Sequence, residues 1–247
     1  MSAKKDPETG SENLSTPPDY AASLRRATEK QDGVAKRSRT RAKLKLAAFT
    51  LMRREGILSL KVTSVTKAAG LASGTFYTHF QFLDDLVLEV VGEFFDMEAR
   101  PALPLGAGEE PFEAMKNAFL YIVRLFRRNI MIFKSLEELR GREPLFRKVW
   151  TDFDDRWARQ FASVMMERPG QQETDPKLAI MLGHAALAMV DEVLLRIFHD
   201  RYDDLLAFGD DDETIAELLA VCRYRLLFAA DPPPEKLSVA RSLIGLG

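Results

Sequence analysis

The chain has 247 residues, 29% charged and 46% hydrophobic, as expected for a globular protein of one or two domains. This composition excludes a collagen-like repeat, a disulfide scaffold and a mostly disordered chain, and the single cysteine, Cys222, has no intrachain partner. The net charge of −2 hides an asymmetry: residues 1–80 hold 15 Lys/Arg against 7 Asp/Glu, whereas residues 81–247 hold 20 against 30. A basic end points to a polyanion partner there, the alternative being a solvated tail that binds nothing.

Residues 1–35 are rich in Ser, Thr, Pro, Gly, Glu and Lys and lack a sustained apolar period, so they read as a disordered extension with at most a frayed helix near Tyr20–Lys30. The N-terminus has no signal-peptide pattern, and the uncharged run Leu178–Val190 is shorter than the roughly 18 residues of a membrane span, so a cytoplasmic protein is expected. From Ser38 the pattern changes. Leu44, Ala47, Ala48, Leu51 and Met52 mark one face of a helix that Gly56 ends, with Arg39, Arg41, Lys43 and Lys45 crowding its first turns. Short helices are expected over Val62–Ala69 and about Ser73–Phe80, then a longer one from Leu83 to Arg100. Pro101–Gly108, with two prolines and two glycines, reads as a connector, which divides the chain into 1–35, 36–100 and 101–247. Beyond it, Phe112–Arg128, Ile130–Leu139, Pro144–Glu167, Asp175–Asp203 and Thr214–Phe228 carry helical spacing. No stretch sustains period two, so the fold class is all-α. Cys222 is expected to be a small buried apolar residue.

The informative stretch is residues 61–80, KVTSVTKAAGLASGTFYTHF. Two short helices flank Gly70-Leu71-Ala72, the turn length of a helix-turn-helix. Phe76 and Phe80 share one face of the second helix, and the opposite face centres on Gly74 and Thr78, flanked by Ser73, Thr75, Tyr77 and His79. That face is small, hydroxyl-rich and free of acid, suited to base edges and phosphates in a major groove. Gly74 costs a helix about 1 kcal/mol relative to Ala, and close approach to DNA is a reason to place it there. On spacing alone a plain helical hairpin remains the alternative.

The segment from Lys43 to Val90 resembles the N-terminal domain of TetR/AcrR-family transcriptional regulators. The matching marks are Ala48, Met52, Gly56, Val65, Ala69, Gly70, Gly74, Thr75, Phe76, Tyr77, His79, Phe80 and Leu86. The Gly-Thr-Phe-Tyr-x-His-Phe core is the specific part, and the resemblance covers about 50 of the 247 residues. It implies a three-helix DNA-binding domain followed by a helical domain that binds a small effector and dimerises. The carried-over DNA contacts are Thr63, Ser73, Gly74, Thr75, Tyr77, Thr78 and His79. Three positions depart from the family pattern. Lys61 replaces a Thr or Ser, Ala72 replaces a capping Ser, and Leu83 replaces a Lys that often meets a phosphate. Lys61 and the arm Arg37, Arg39, Arg41 and Lys43 are the candidates to supply the missing charge.

The resemblance also implies a homodimer formed through the last two long helices, and a two-fold operator. Phe126, Met131, Phe133, Trp150, Phe153, Trp157, Phe161 and Met165 are the candidate wall of a lipophilic effector pocket, a stripe that also suits plain core. His184, Asp191 and Glu192 lack a dedicated metal spacing; no metal, no cofactor and no enzyme constellation is expected. Repression is the family's commoner mode. The rival is an architectural DNA-binding protein without an effector.

Overall fold

The computed structural model describes residues 19–29, 35–99, 110–141, 143–168, 170 and 173–243. The first described element is the helix expected near Tyr20–Lys30, and it is packed on the core, not frayed. Asp19 accepts a hydrogen bond from the Ala22 amide at 3.0 Å and caps helix α1 (Tyr20–Thr28). Tyr20, Ala21 and Leu24 are buried. The Tyr20 ring meets Phe49 edge-on at 4.9 Å, and its hydroxyl donates to Glu93 at 2.6 Å. Thus α1 is packed onto α2 (Lys36–Glu55) and α5 (Leu83–Phe94). The remainder of 1–35 lies outside the described residues.

Helix α2 buries the expected stripe, Leu44, Ala47, Ala48, Leu51 and Met52, together with Phe49, and ends at Gly56 with φ +80°. Helix α3 (Val62–Ala68) starts with the Lys61 amide donating to Ser64 Oγ at 3.1 Å. It closes in a left-handed turn at Gly70, φ +66°, where the Gly70 amide donates to Lys67 O and the Leu71 amide to Thr66 O. A side chain there would be strained by the backbone conformation alone, because open space surrounds the position and nothing would clash with it. Helix α4 spans only Ser73–Phe76, shorter than expected, and runs on as a tight turn to Phe80. Phe76 and Phe80 are buried with rings 5.7 Å apart. The Asp85 carboxylate accepts from the Phe82 amide at 2.9 Å and starts α5, which continues as a π-helical turn over Phe95–Ala99.

Helix α6 (Pro111–Arg140) joins two expected segments across a kink at Asn129, φ −124° and ψ 22°. The chain then folds through α7 (Pro144–Met166), α8 (Pro176–Leu195) with a π-helical turn to Asp200, and α9 (Asp212–Phe228). Asp175 and Asp211 cap the last two helices through the Lys177 and Thr214 amides. The α7–α8 crossing is close: a Cβ on Gly183 would sit 2.7 Å from the Ala158 carbonyl oxygen. Glu217 on α9 is buried and ties down the chain end, accepting from the amides of Ser238, Val239 and Ala240 at 2.8–3.0 Å. Burial alone would raise its pKa; these bonds, the Ser238 hydroxyl and Lys116 outweigh that and hold the carboxyl below its ordinary value.

One contiguous apolar core runs from α1 to the last turn. The expected boundary at 101–108 lies outside the described residues, and the flanking parts are joined directly. The Ile57 amide donates to Ser135 Oγ on α6 at 2.9 Å, and Arg53 Nε to the Arg128 carbonyl at 3.2 Å. Among the described residues no strand occurs.

Candidate nucleic-acid interface and apolar cavity

At the N-terminal end, α3, the Gly70 turn and α4 hold a face outward. Thr63, Ser73, Gly74, Tyr77 and Thr78 are exposed, Thr75 and His79 are half-buried, and Tyr77 retains 64% of its surface. Open space surrounds Gly74, so no packing contact requires a glycine there. Ala72 makes no side-chain cap, which leaves the first amides of α4 directed outward without a side-chain acceptor from that position. His79 has its Nδ1 enclosed; burial first, then Arg37 and Arg41, lower its pKa, so the ring is neutral at pH 7. A shallow groove of about 330 Å³ lined by Lys36, Arg37, Thr40, Thr75, Thr78 and His79 joins the start of α2 to α4.

The basic residues separate into two groups. Lys43 and Lys61 are exposed, and Arg37 is exposed with one long contact to the Thr78 carbonyl at 3.5 Å. Arg39 is half-buried beside this arm. Arg41 is committed inward. Its guanidinium pairs with Glu89, donates to the His79 carbonyl and lies 4.0 Å over the Phe80 ring. Lys45 likewise bridges Glu89 and Glu93 at 2.7–3.2 Å. Burial would raise the Glu89 pKa, but the bonds from Arg41 and Lys45 bring it below the ordinary value. The start of α5, where Leu83 stands, presents Asp84 and Asp85 instead of a cation.

In the C-terminal part, α6, α7, α8 and α9 line an apolar cavity of about 50 Å³. Six of the eight expected wall residues line it: Phe126, Phe133, Trp150, Phe153, Trp157 and Phe161. The other two do not. Met131 faces the end of α2, where its Cε lies 3.6 Å from the Cβ position of Gly56, and Met165 is partly buried elsewhere on α7. Helix α8 adds Gly183, Ala186, Leu187, Met189, Val190 and Asp191. Burial pushes Asp191 up to about 8, with Asp154 adding to the rise and Arg140 opposing it. Asp154 itself is pushed up to about 6, mainly by burial. His184 contacts Asp155 at 3.3 Å, and among the described residues no three potential metal ligands cluster.

Sequence reading missed Arg223, the one wall residue from α9. It is 9% exposed, with its guanidinium 5.3 Å from the Phe161 ring centre and 5.9 Å from that of Phe119. A signal was present: Leu219, Arg223 and Leu227 lie four apart and share the buried side of α9. The same register turns Leu218, Cys222 and Leu226 the other way, so Cys222 is exposed and not buried as expected.

The cavity wall touches the helix that carries the N-terminal unit. Phe95, just past α5, stacks on Phe153 at 4.5 Å and meets Trp150 edge-on at 6.5 Å, while Phe94 meets Phe133 at 6.0 Å. On the outside, Leu178 and Met181 of α8 are 57% and 65% exposed, and Ala185, Ala188, Cys222 and Leu226 extend the apolar face across α8 and α9. The stretch Pro176–Asp200 is long and apolar enough to cross a membrane by length and composition, beyond what its uncharged run indicates.

No protein-family model matches the sequence, and no curated protein matches it significantly. Solved structures do match in shape. A transcriptional regulator from Rhodococcus sp. Rha1 superposes with a TM-score of 0.60 at 16% identity, covering 75% of this chain and 96% of its own. A TetR-family transcriptional regulator from Syntrophomonas wolfei gives 0.57 at 14% identity over 76% and 94%. Thermus thermophilus FadR, a TetR-family transcriptional repressor in complex with lauroyl-CoA, gives 0.52 at 18% identity over 78% and 97%. The chain therefore has the fold of the TetR-family transcriptional regulators, a helix-turn-helix unit joined through α5 to a helical domain with an apolar cavity.

Proposed function

We propose that this chain is a TetR-family transcriptional repressor in the cytoplasm that binds a palindromic operator as a homodimer and is released by a small, apolar-bodied effector. The observation that carries the reading is the exposed face around Gly74, small, hydroxyl-bearing and acid-free, on a helix seated by a Gly70 turn. Ser73, Thr75, Tyr77, Thr78 and His79 are the proposed base and phosphate contacts from α4 and its turn, and Thr63 and Lys61 those from α3. Arg37, Arg39 and Lys43 supply the cationic arm. The α8–α9 face supports the homodimer, since a second copy covers the apolar surface that one chain leaves in water.

Release follows from the contacts along α5. An effector in the cavity displaces Phe133, Trp150 or Phe153, these rings bear on Phe94 and Phe95, and α5 re-aims the two recognition helices of the dimer. The effector shifts DNA affinity only by its preference between the two arrangements.

Fluorescence anisotropy at physiological salt tests this, comparing DNA upstream of the chain's own gene, and sites recovered by genome-wide selection, with a shuffled duplex. The expected result is a preference of about 10³-fold or more. Gly74→Ala is expected to fold as stably as the parent or better and to lose at least about tenfold in specific binding, because the added methyl stands where DNA must approach. Equal affinity for selected and shuffled DNA would support the architectural alternative instead.

A further inference from the structure

Arg223 is a cation inside an apolar cavity with nothing to neutralise it. Nine-tenths of the residue is removed from water, and its neighbours there are the rings of Phe119 and Phe161. Among the described residues no carboxylate lies within ion-pair distance of its guanidinium and no acceptor takes a hydrogen bond from it. Burying an unpaired charge is strongly unfavourable, and a guanidinium stays charged at neutral pH even when burial lowers its pKa to about 10, as here. The core does not need the charge, since a Met or Leu at position 223 would continue the buried stripe of Leu219 and Leu227. The second ionisable group of the wall, Asp191, is neutral for the most part at pH 7 and does not pair with Arg223. The cavity therefore carries a net charge of one cation.

We propose, resting on the effector-cavity reading above, that the effector is a carboxylic acid with an apolar body, its carboxylate seated on Arg223 and its body among Phe126, Phe133, Trp150 and Phe153. The planar guanidinium fork matches a carboxylate in two parallel hydrogen bonds, and one cation balances one anion. A phosphate, with up to two charges and a larger hydration shell, would find no second cation in the wall. An acyl thioester carries no anion at its acyl end, so the class proposed here differs from the lauroyl-CoA bound by the Thermus thermophilus relative. The free space of about 50 Å³ admits only a few atoms, so to seat the body of the acid the aromatic wall that bears on Phe94 and Phe95 has to part.

The chain's own two tryptophans, Trp150 and Trp157, both line the cavity and report occupancy by their emission. The test titrates the full-length protein at pH 7 with decanoate and decanamide, followed by tryptophan fluorescence. Calorimetry with 1-naphthoate and 1-naphthamide covers an aromatic body. At least one acid is expected to bind at least about tenfold more tightly than its amide, the worth of a charge-assisted hydrogen bond. Arg223→Met is expected to equalise acid and amide while melting no lower than the parent, and Arg223→Lys to keep part of the preference. Amides binding as well as acids, or an acid preference that survives in Arg223→Met, would overturn the carboxylate assignment and leave the cavity standing as an apolar effector site. If neither acid nor amide bound in either body series, the carboxylate assignment and the effector-cavity reading would fall together.

Discussion

Arg37 and Arg41 lie one helical turn apart, and their fates differ through what surrounds them. Arg41 faces α5, where Glu89 and the Phe80 ring hold it, whereas Arg37 projects beside Thr78 at the outer groove. Arg37→Ala is expected to lower the salt slope of DNA binding by about 0.9 for each phosphate that the guanidinium neutralises. Arg41→Met is expected to leave that slope unchanged and to lower folding stability by about 1 kcal/mol, the partly exposed pair being screened. Slopes from anisotropy between 50 and 300 mM salt, alongside denaturant melts, separate the two. From the sequence both are arginines in a basic run; the difference arises from Glu89, 48 residues away. Asp191 illustrates the same limit with a sign attached. Its folded pKa is raised to about 8 from 3.8, so the folded chain retains a proton that the unfolded chain releases. Stability therefore falls as pH rises from about 4 to about 8, with Asp154 contributing over the lower part of that window. Asp191→Asn is expected to flatten the upper part of the profile and to gain at least about 1 kcal/mol at pH 8, measured by denaturant melts at pH 5, 6.5 and 8.

At the scale of elements, strongly periodic helices were legible and those held by a few distant contacts were not. The α2 stripe from Leu44 to Met52 and the Asp175-Pro176 start of α8 stand in the structure as read. Helix α1 was legible only as a frayed helix near Tyr20–Lys30, because just Tyr20, Ala21 and Leu24 face the core, too few for a period, and their burial depends on Phe49 and Glu93. Its Asp19 cap was the visible cue. Helix α4 is a single turn that passes at Tyr77 into a tight turn to Phe80, which the spacing of Phe76 and Phe80 does not distinguish from a continuing helix. Beyond the kink at Asn129, Met131 and Phe133 lie two residues apart and so on opposite faces of α6, and Met131 meets the end of α2 while Phe133 meets the cavity. Gly183 has no sequence cue, yet it sets the α7–α8 spacing. Gly183→Ala drives a methyl against the Ala158 backbone and is expected to destabilise the fold by about 1–3 kcal/mol, read as a lowered denaturant midpoint.

For the molecule as a whole, the charge asymmetry of the sequence corresponds to a division of labour in the proposed regulator, with cations around α2 and α3 and apolar surface on α8 and α9. The sequence could show a wide apolar face on each of α8 and α9, but not which stripe is left uncovered; that depends on how α6 and α7 occupy the other sides. Met181→Glu places a charge at the centre of the uncovered face, where its side chain is 65% exposed in one chain. It is expected to leave the fold intact and to convert a dimer to a monomer in analytical ultracentrifugation, with loss of binding to a two-half-site operator. A variant that remains dimeric would move the proposed interface elsewhere.

The bend at Asn129 makes α6 a jointed beam. Its longer arm, Pro111–Arg128, lies along α9, and its shorter arm, Ile130–Arg140, carries both Phe133 of the cavity and Ser135, which holds the Ile57 amide. Arg53 grips the Arg128 carbonyl at the joint itself. Eleven residues make a lever of about 16 Å, so a rotation of about 5° at the joint carries its tip through about 1.4 Å. In the proposed regulator the joint and the outer arm bear on the helix-turn-helix unit, and an occupant of the cavity would push on the same arm at Phe133, one turn from the bend.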